Sequence, residues 1–144
     1  MSKIVIRTVS TDDANEICKI CSEDLGYSCN SSLVMEKIKN INVYREAVYV
    51  ALVDEIVVGF IHIERYDVLF LETMANILSL AVKATYRNSG IGKKLIHAAE
   101  EWAVKNNIKA MRLNSGISRK VAHNFYRHLG YNFEKEQIRF EKLL

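Results

Sequence analysis

Ala75-Asn-Ile-Leu-Ser-Leu-Ala-Val82, Lys83-Ala-Thr-Tyr-Arg-Asn-Ser89 and Gly90-Ile-Gly-Lys-Lys-Leu-Ile-His-Ala-Ala99 follow one another without a break. The first segment is apolar at nearly every position, the pattern of a strand covered on both faces. The third opens on two glycines and continues with Ile91, Leu95, Ala98, Ala99 and Trp102 at helical spacing. A helix start leaves N–H groups unpaired and carries partial positive charge, so strand, loop and helix together form an anion site. Lys83, Arg87, Lys93 and Lys94 add cations, and no Asp or Glu occurs from Thr73 to Ala99. Helices ordinarily favour acids in their first turn. Their exclusion here, with the first acid at Glu100, points to a bound phosphate.

Outward from this segment the pattern remains regular. Ile4 to Val9 alternates as a strand. Ser10 or Thr11 caps a helix with apolar positions Ala14, Ile17, Cys18, Cys21 and Leu25, closed by Gly26. A second helix spans Ser32 to Ile41. Ala47 to Val53 and Ile56 to Ile63 are β-rich runs joined at Asp54-Glu55, which reads as a hairpin. Leu69 to Leu71 is apolar but too short to assign. The glycine-led helix runs from Gly90 to Asn106, followed by a strand at Ala110 to Leu113. A helix then spans Arg119 to Leu129, with Gly130 beyond it. A bend at Glu134 to Glu136 and a strand at Ile138 to Leu143 close the chain. This order predicts an α/β or α+β layered domain, 1–144, without linkers or repeats.

A chain of 144 residues can bury a substantial single core. Its net charge of +3 suits a small anionic ligand better than a nucleic-acid backbone, and no aromatic–basic interleaving marks a nucleic-acid surface. No apolar run approaches the length of a membrane span, and the N-terminus lacks the apolar core of a signal peptide. Three cysteines, Cys18, Cys21 and Cys29, are an odd number, which favours free thiols and a cytoplasmic setting. Cys18-Lys-Ile-Cys21 has C-x-x-C spacing but too few companions for a structural zinc site, so the two read as small core residues. His97, His123 and His128 lack metal-ligand spacing. No metal site is expected.

Three glycine motifs compete for Arg87 to Lys94. The P-loop would need Gly where Arg87 stands and Ser or Thr where Lys94 stands. The dinucleotide fingerprint starting at Gly90 would need a small residue at Leu95. The third reading, R-x-x-G-x-G after a buried strand, is satisfied by Arg87-Asn88-Ser89-Gly90-Ile91-Gly92. This segment resembles the pyrophosphate motif of the GNAT superfamily of acetyl-CoA-dependent N-acetyltransferases. Ala122-His123-Asn124-Phe125-Tyr126 followed by Gly130-Tyr131 resembles that family's second signature, A-x-x-F-Y-x-x-x-G-[FY]. The element order matches along roughly the whole chain.

The resemblance implies a mixed, mainly antiparallel central sheet flanked by helices, with acetyl-CoA as cosubstrate. It implies that Leu80, Ala81 and Val82 lie along the pantetheine arm, with an N–H near Val82 polarising the thioester carbonyl. It implies further that Arg87, Asn88, Ser89, Gly90, Ile91, Gly92 and Lys93 hold the pyrophosphate. Three positions depart from the family pattern: Asn88 replaces a frequent Gly, Ala84 a frequent Pro, and Arg119 a cofactor-binding Asn. Asn124 is near that last position but out of register, and is kept as a candidate coenzyme contact. Arg119 to Tyr126 also resembles a subset acting on small amines, including aminoalkylphosphonates.

Acetyl transfer needs a neutral amine, and an alkyl amine of pKa near 10.4 faces a handicap of about 4–5 kcal/mol at pH 7. A general base is therefore expected. The family's frequent Glu falls at Asn76, which cannot serve. Glu72 is taken first as the base. Glu64, beside Arg65, reads as a solvated strand-end charge, and His62, between Ile61 and Ile63, as facing solvent. Tyr126 matches the family's general acid. Full proton transfer from a phenol to a thiolate is uphill by about 2 kcal/mol, so a hydrogen bond to the departing sulfur is its expected contribution. The reaction implied is direct transfer, in a ternary complex, to a small-molecule amine. A coenzyme-binding sensor and a protein N-terminal or lysine acetyltransferase are the alternatives. The family also implies a possible homodimer.

Overall fold

The computed structural model describes residues 3–133 and 135–144. They form two compact units, Met1–Leu113 and Asn114–Leu144.

The first unit contains β1 (Ile4–Thr8), α1 (Ala14–Asp24), α2 (Ser31–Lys39), β2 (Glu46–Val53), β3 (Ile56–Tyr66), β4 (Met74–Val82), α3 (Ile91–Lys105) and β5 (Met111–Leu113). The strands lie in the order β1-β2-β3-β4-β5, antiparallel except for the parallel β4–β5 pair. The mixed, mainly antiparallel sheet is the expected one.

Local chemistry sets the element ends. Ser10 and Asp13 form a capping box before α1, and Arg7 grips both Asp13 oxygens at 2.8 and 2.9 Å, tying the helix start to β1. Asn30 accepts from the N–H groups of Ser32 and Leu33 at the start of α2. Asp54 and Glu55 both have positive φ, 49° and 67°, as a two-residue hairpin of right-handed twist demands.

The core has two layers. On one sheet face Val50, Phe60 and Ala81 pack against Ile17 and Ile20 of α1, with Val34 and Ile38 of α2 beside them. On the other lies α3, which buries Ile91, Leu95, Ile96, Ala99, Trp102 and Ala103. Its stripe is wider than the sequence pattern because the helix spans four strands. Gly59 makes the close approach possible. A methyl group there would stand 2.9 Å from the Ala81 carbonyl oxygen and 3.3 Å from the Leu95 side chain, contacts a packed core accommodates poorly.

Two expectations change. Cys18 and Cys21 are only half-buried, and the α1 stripe is completed by the fully buried Ile20. Residues 138–143 form no strand: Ile138 and Phe140 are 80% and 88% exposed, and no ladder among the described residues includes them. Their alternation describes a segment suited to a pleated surface, and β-propensity without a partner does not make a strand. The bend expected at Glu134 to Glu136 begins outside the described residues. Leu69 to Leu71 is an exposed turn.

In the second unit α4 (Lys120–His128) is closed by Leu129 and then Gly130, whose φ is +92°.

Candidate active site

The strand ladder itself creates an opening in the first unit. From Met74 to Ile77, β4 pairs with β3 on one side, and Ala75 to Ile77 also pair with β5 on the other. β5 ends at Leu113, opposite Ile77, so beyond that point β4 has, among the described residues, a ladder partner on only one side. At the same place the β3–β4 register slips: His62 faces Ser79, but Ile63 faces Ile77. Leu78 is therefore the extra residue of a β-bulge, and it is exposed. The bulge decides which peptide groups face the opening. Before it, the Ala75 N–H is directed to β5, donating to the Ala110 carbonyl. After it, the Lys83 N–H is directed to β3, donating to the Val58 carbonyl at 2.8 Å. By alternation the peptide groups of Leu80 and Val82 face the open edge, while those of Ala81 face β3. The Val82 carbonyl accepts from Arg87 Nε at 3.3 Å, consistent with that orientation.

The chain then makes a short 3₁₀ turn, Ala84–Tyr86, and enters α3 through two left-handed residues, Asn88 (φ 62°) and Gly90 (φ 85°). Asparagine is among the few side chains that adopt this conformation readily, so the turn does not need a glycine at position 88. No side chain caps α3, and no acid lies in its first turn. A helix start of this kind can receive an anion on its first N–H groups.

The loop's cations are not equivalent. Lys83 is held by Glu16 at 3.1 Å, and Arg87 approaches Asp24 at 3.5 Å. Lys83, then Lys19, hold the Glu16 carboxyl below its ordinary range. The Asp24 carboxylate, only 7% exposed, also accepts from the Ala84 N–H at 2.9 Å. Two acids from α1 thus brace a loop that has none of its own. Lys93 and Lys94 are exposed and carry no ion pair among the described residues. Sequence reading missed Glu16 and Asp24 because each lies about 60 residues or more from its partner.

A row of polar side chains crosses the sheet just before the opening: Glu46 on β2 faces Glu64 on β3, Glu64 faces Asn76 on β4, and Asn76 faces Arg112 on β5. Asn76 is buried. Its Nδ2 donates to Glu64 at 2.9 Å, its Oδ1 accepts from Arg112 at 2.7 Å, and Arg112 lies 4.2 Å over the Tyr66 ring. His62 Nε2 is 2.8 Å from Glu46 Oε1. Glu64 and His62 are therefore not merely solvated. Glu72 lies in the exposed connection before β4, without a hydrogen bond or ion pair among the described residues.

In the second unit, Tyr126 packs edge-on against Phe125 at 5.2 Å and near Tyr131 at 6.0 Å. Burial pushes its phenol up and Arg119 only partly opposes this, so it holds its proton across the neutral range. Asn124 is exposed and accepts from Arg127 at 3.4 Å. Among the described residues no group of three or more His, Cys, Asp or Glu is placed to hold a metal ion, and no helix is long and apolar enough to cross a membrane.

Residues 14–131 match the Acetyltransferase (GNAT) family, and the chain belongs to that family. It is 38% identical over 64 residues to an uncharacterised N-acetyltransferase of Bacillus subtilis, covering 44% of this chain and 45% of that one. It is 27% identical over 144 residues to an aminoalkylphosphonate N-acetyltransferase of Salmonella typhimurium, covering 96% of this chain and 90% of that one. The fold is also that of the aminoglycoside N-acetyltransferase AAC(6')-Iy in complex with CoA, with a TM-score of 0.84 at 15% identity over 99% of this chain and 96% of that one.

Proposed function

We propose that the chain is a single-domain N-acetyltransferase that moves the acetyl group of acetyl-CoA to the primary amine of a small molecule. The family match runs across both compact units, which supports one functional domain. The observation that carries the reading is the continuity of an open strand edge at Leu80 and Val82 with an acid-free, uncapped helix start at Gly90 to Lys93. A pantetheine arm is an amide chain and pairs with free strand groups as another strand would. The pyrophosphate meets the helix N–H groups, Lys93 and Lys94. An N–H at the open edge then polarises the thioester carbonyl, where negative charge develops. Tyr126, from the second motif, hydrogen-bonds the departing sulfur.

Direct transfer is favoured over an acetyl-cysteine intermediate. A hydrogen bond with Cys29, then burial, push the Cys18 thiol up to about 11, and burial raises Cys21 as well. Thiols kept protonated are poor nucleophiles. The small-molecule acceptor rests on the relatives. The Salmonella protein is named for aminoalkylphosphonates, and an acetyltransferase of the same fold is described in complex with the aminoglycoside sisomicin.

An amine panel including aminoalkylphosphonates, aminoglycosides, diamines and peptide N-termini, assayed by thiol release, tests the reading. Thiol should appear only with a small amine present, in amounts equal to acetylated product, and initial-rate lines should intersect. Bound acetyl-CoA with no thiol release from any amine would instead mark a coenzyme sensor.

A further inference from the structure

The acceptor nitrogen must lose a proton to attack, and three side chains near the opening of β4 compete to receive it. Glu72 lies outside the sheet. Glu64 faces Asn76, before the bulge, and its carboxylate is engaged by that amide. His62 faces Ser79, immediately beyond the bulge and one residue from Leu80 at the open edge. Its side chain is 31% exposed and that of its partner Glu46 is 29% exposed, so a solute can reach the pair although the sheet partly shields it.

We infer that His62, oriented by Glu46, takes the acceptor's proton. This inference rests on the acetyltransferase reading above. Hydrogen-bond valence fixes the tautomer. A carboxylate only accepts, so the 2.8 Å contact makes Nε2 the protonated nitrogen of the neutral ring. Nδ1 then carries the free lone pair, and it has no partner among the described residues. A base oriented by a third group is a recurring arrangement in general-base catalysis. The polar and titratable groups that share this sheet face are Glu46 from β2, Glu64 and Tyr66 further along β3, Ser79 and Asn76 from β4, and Arg112 from β5, whose guanidinium is bound to Asn76 and lies over Tyr66. From above, α1 and α2 turn Ile17, Ile20, Cys21, Val34 and Ile38 onto the face. Phe60 is the last residue of β3 in that apolar cluster, and His62, next on the same face, is half-buried and one strand in from the open edge.

The step balances. The acceptor arrives as an ammonium and one proton passes to His62 Nδ1. The neutral nitrogen forms the C–N bond to the acetyl carbon as the C–S bond breaks with its electron pair moving to sulfur. Sulfur takes up one proton, the second nitrogen proton and the one held on His62 pass to solvent, and two protons lost against one gained leave the amide, free coenzyme A and one net proton.

The test is the pH dependence of kcat/KM for the best amine in the wild-type protein, His62→Ala and His62→Gln, with acetyl-CoA affinity measured alongside. At pH 7 both variants should lose about 10²-fold in kcat/KM while the acetyl-CoA Kd stays within about threefold. The deficit should shrink as pH approaches the acceptor's own pKa, because an amine that is already neutral needs no base. Added imidazole should restore part of the alanine variant's rate. Glu46→Gln, which keeps an acceptor oxygen but removes the orienting charge, should cost about tenfold. A loss equal at every pH, or no loss in either His62 variant, overturns the assignment and leaves the acetyltransferase reading intact. A wild-type protein that releases thiol with no amine overturns both.

Discussion

Gly92→Glu is expected to abolish measurable acetyl-CoA binding, raising Kd by about 10³-fold or more while the protein stays folded. Gly92 is the second residue of α3, a helix that begins without a side-chain cap and without an acid in its first turn. A glutamate there would place a fixed negative charge at the helix start proposed to hold the pyrophosphate, and would add a side chain where glycine has none. At an effective dielectric near 20, two like charges about 4 Å apart repel by roughly 4 kcal/mol, which is the source of the magnitude. The same substitution suits the helix itself, since an acid in the first turn complements the dipole and glycine is a poor helix former. Thermal stability should therefore be unchanged or slightly higher. That combination separates loss of a ligand site from loss of structure. Calorimetric titration with acetyl-CoA, with a melting curve on the same sample, checks it. Retained affinity would mean that the coenzyme's phosphates lie elsewhere.

Tyr126→Phe should lower kcat by about 10²–10³-fold with an acetyl-CoA Kd within about threefold of wild type. The hydroxyl is the only group removed, and Tyr126 keeps its ring packing on Phe125 and Tyr131 through the change. Burial already holds the phenol protonated at neutral pH, which fits a hydrogen-bond donor to developing negative charge on sulfur. On the proposed role the interaction would arise only as the C–S bond breaks, so its loss would fall in kcat rather than in binding. Steady-state rates with the best acceptor, compared with direct binding, make the distinction. An unchanged kcat would remove Tyr126 from the chemistry.

Much of this arrangement is legible in the chain. The central strand, the glycine loop and the amphipathic helix are contiguous, so local pattern defines them. The Asp54-Glu55 turn locates the hairpin because its two positive-φ residues are adjacent. The polar row before the opening is different, because it depends on register. Counting from the hairpin turn, where Val53 faces Ile56, would put Glu46 opposite Ile63. A slip between Ala51 and Leu52 moves Glu46 opposite Glu64 and brings it within reach of His62. A second slip at Leu78 turns Leu80 and Val82, rather than Ser79 and Ala81, toward the open edge. Bulges change the side every later residue faces, and nothing in a single apolar run announces them. His62 therefore read as a solvent-facing residue, and Asn76 as a lost base rather than the central member of a hydrogen-bonded row. The braces from α1 were hidden for another reason. Glu16 and Asp24 look like ordinary helix-surface acids until the fold brings the glycine loop beside them.

Backbone amide chemical shifts of the isotopically labelled protein, followed as acetyl-CoA is added, test the central claim most directly. Binding at the open edge and helix start predicts the largest shifts at the amides of Leu80, Val82 and Gly90 to Lys93, with smaller ones at Ala84 through its bond to Asp24. Acetyl-pantetheine, which lacks the pyrophosphate, should move the strand amides but leave those of Gly90 to Lys93 in place. Saturable acetyl-CoA binding that leaves these amides unmoved would contradict the account.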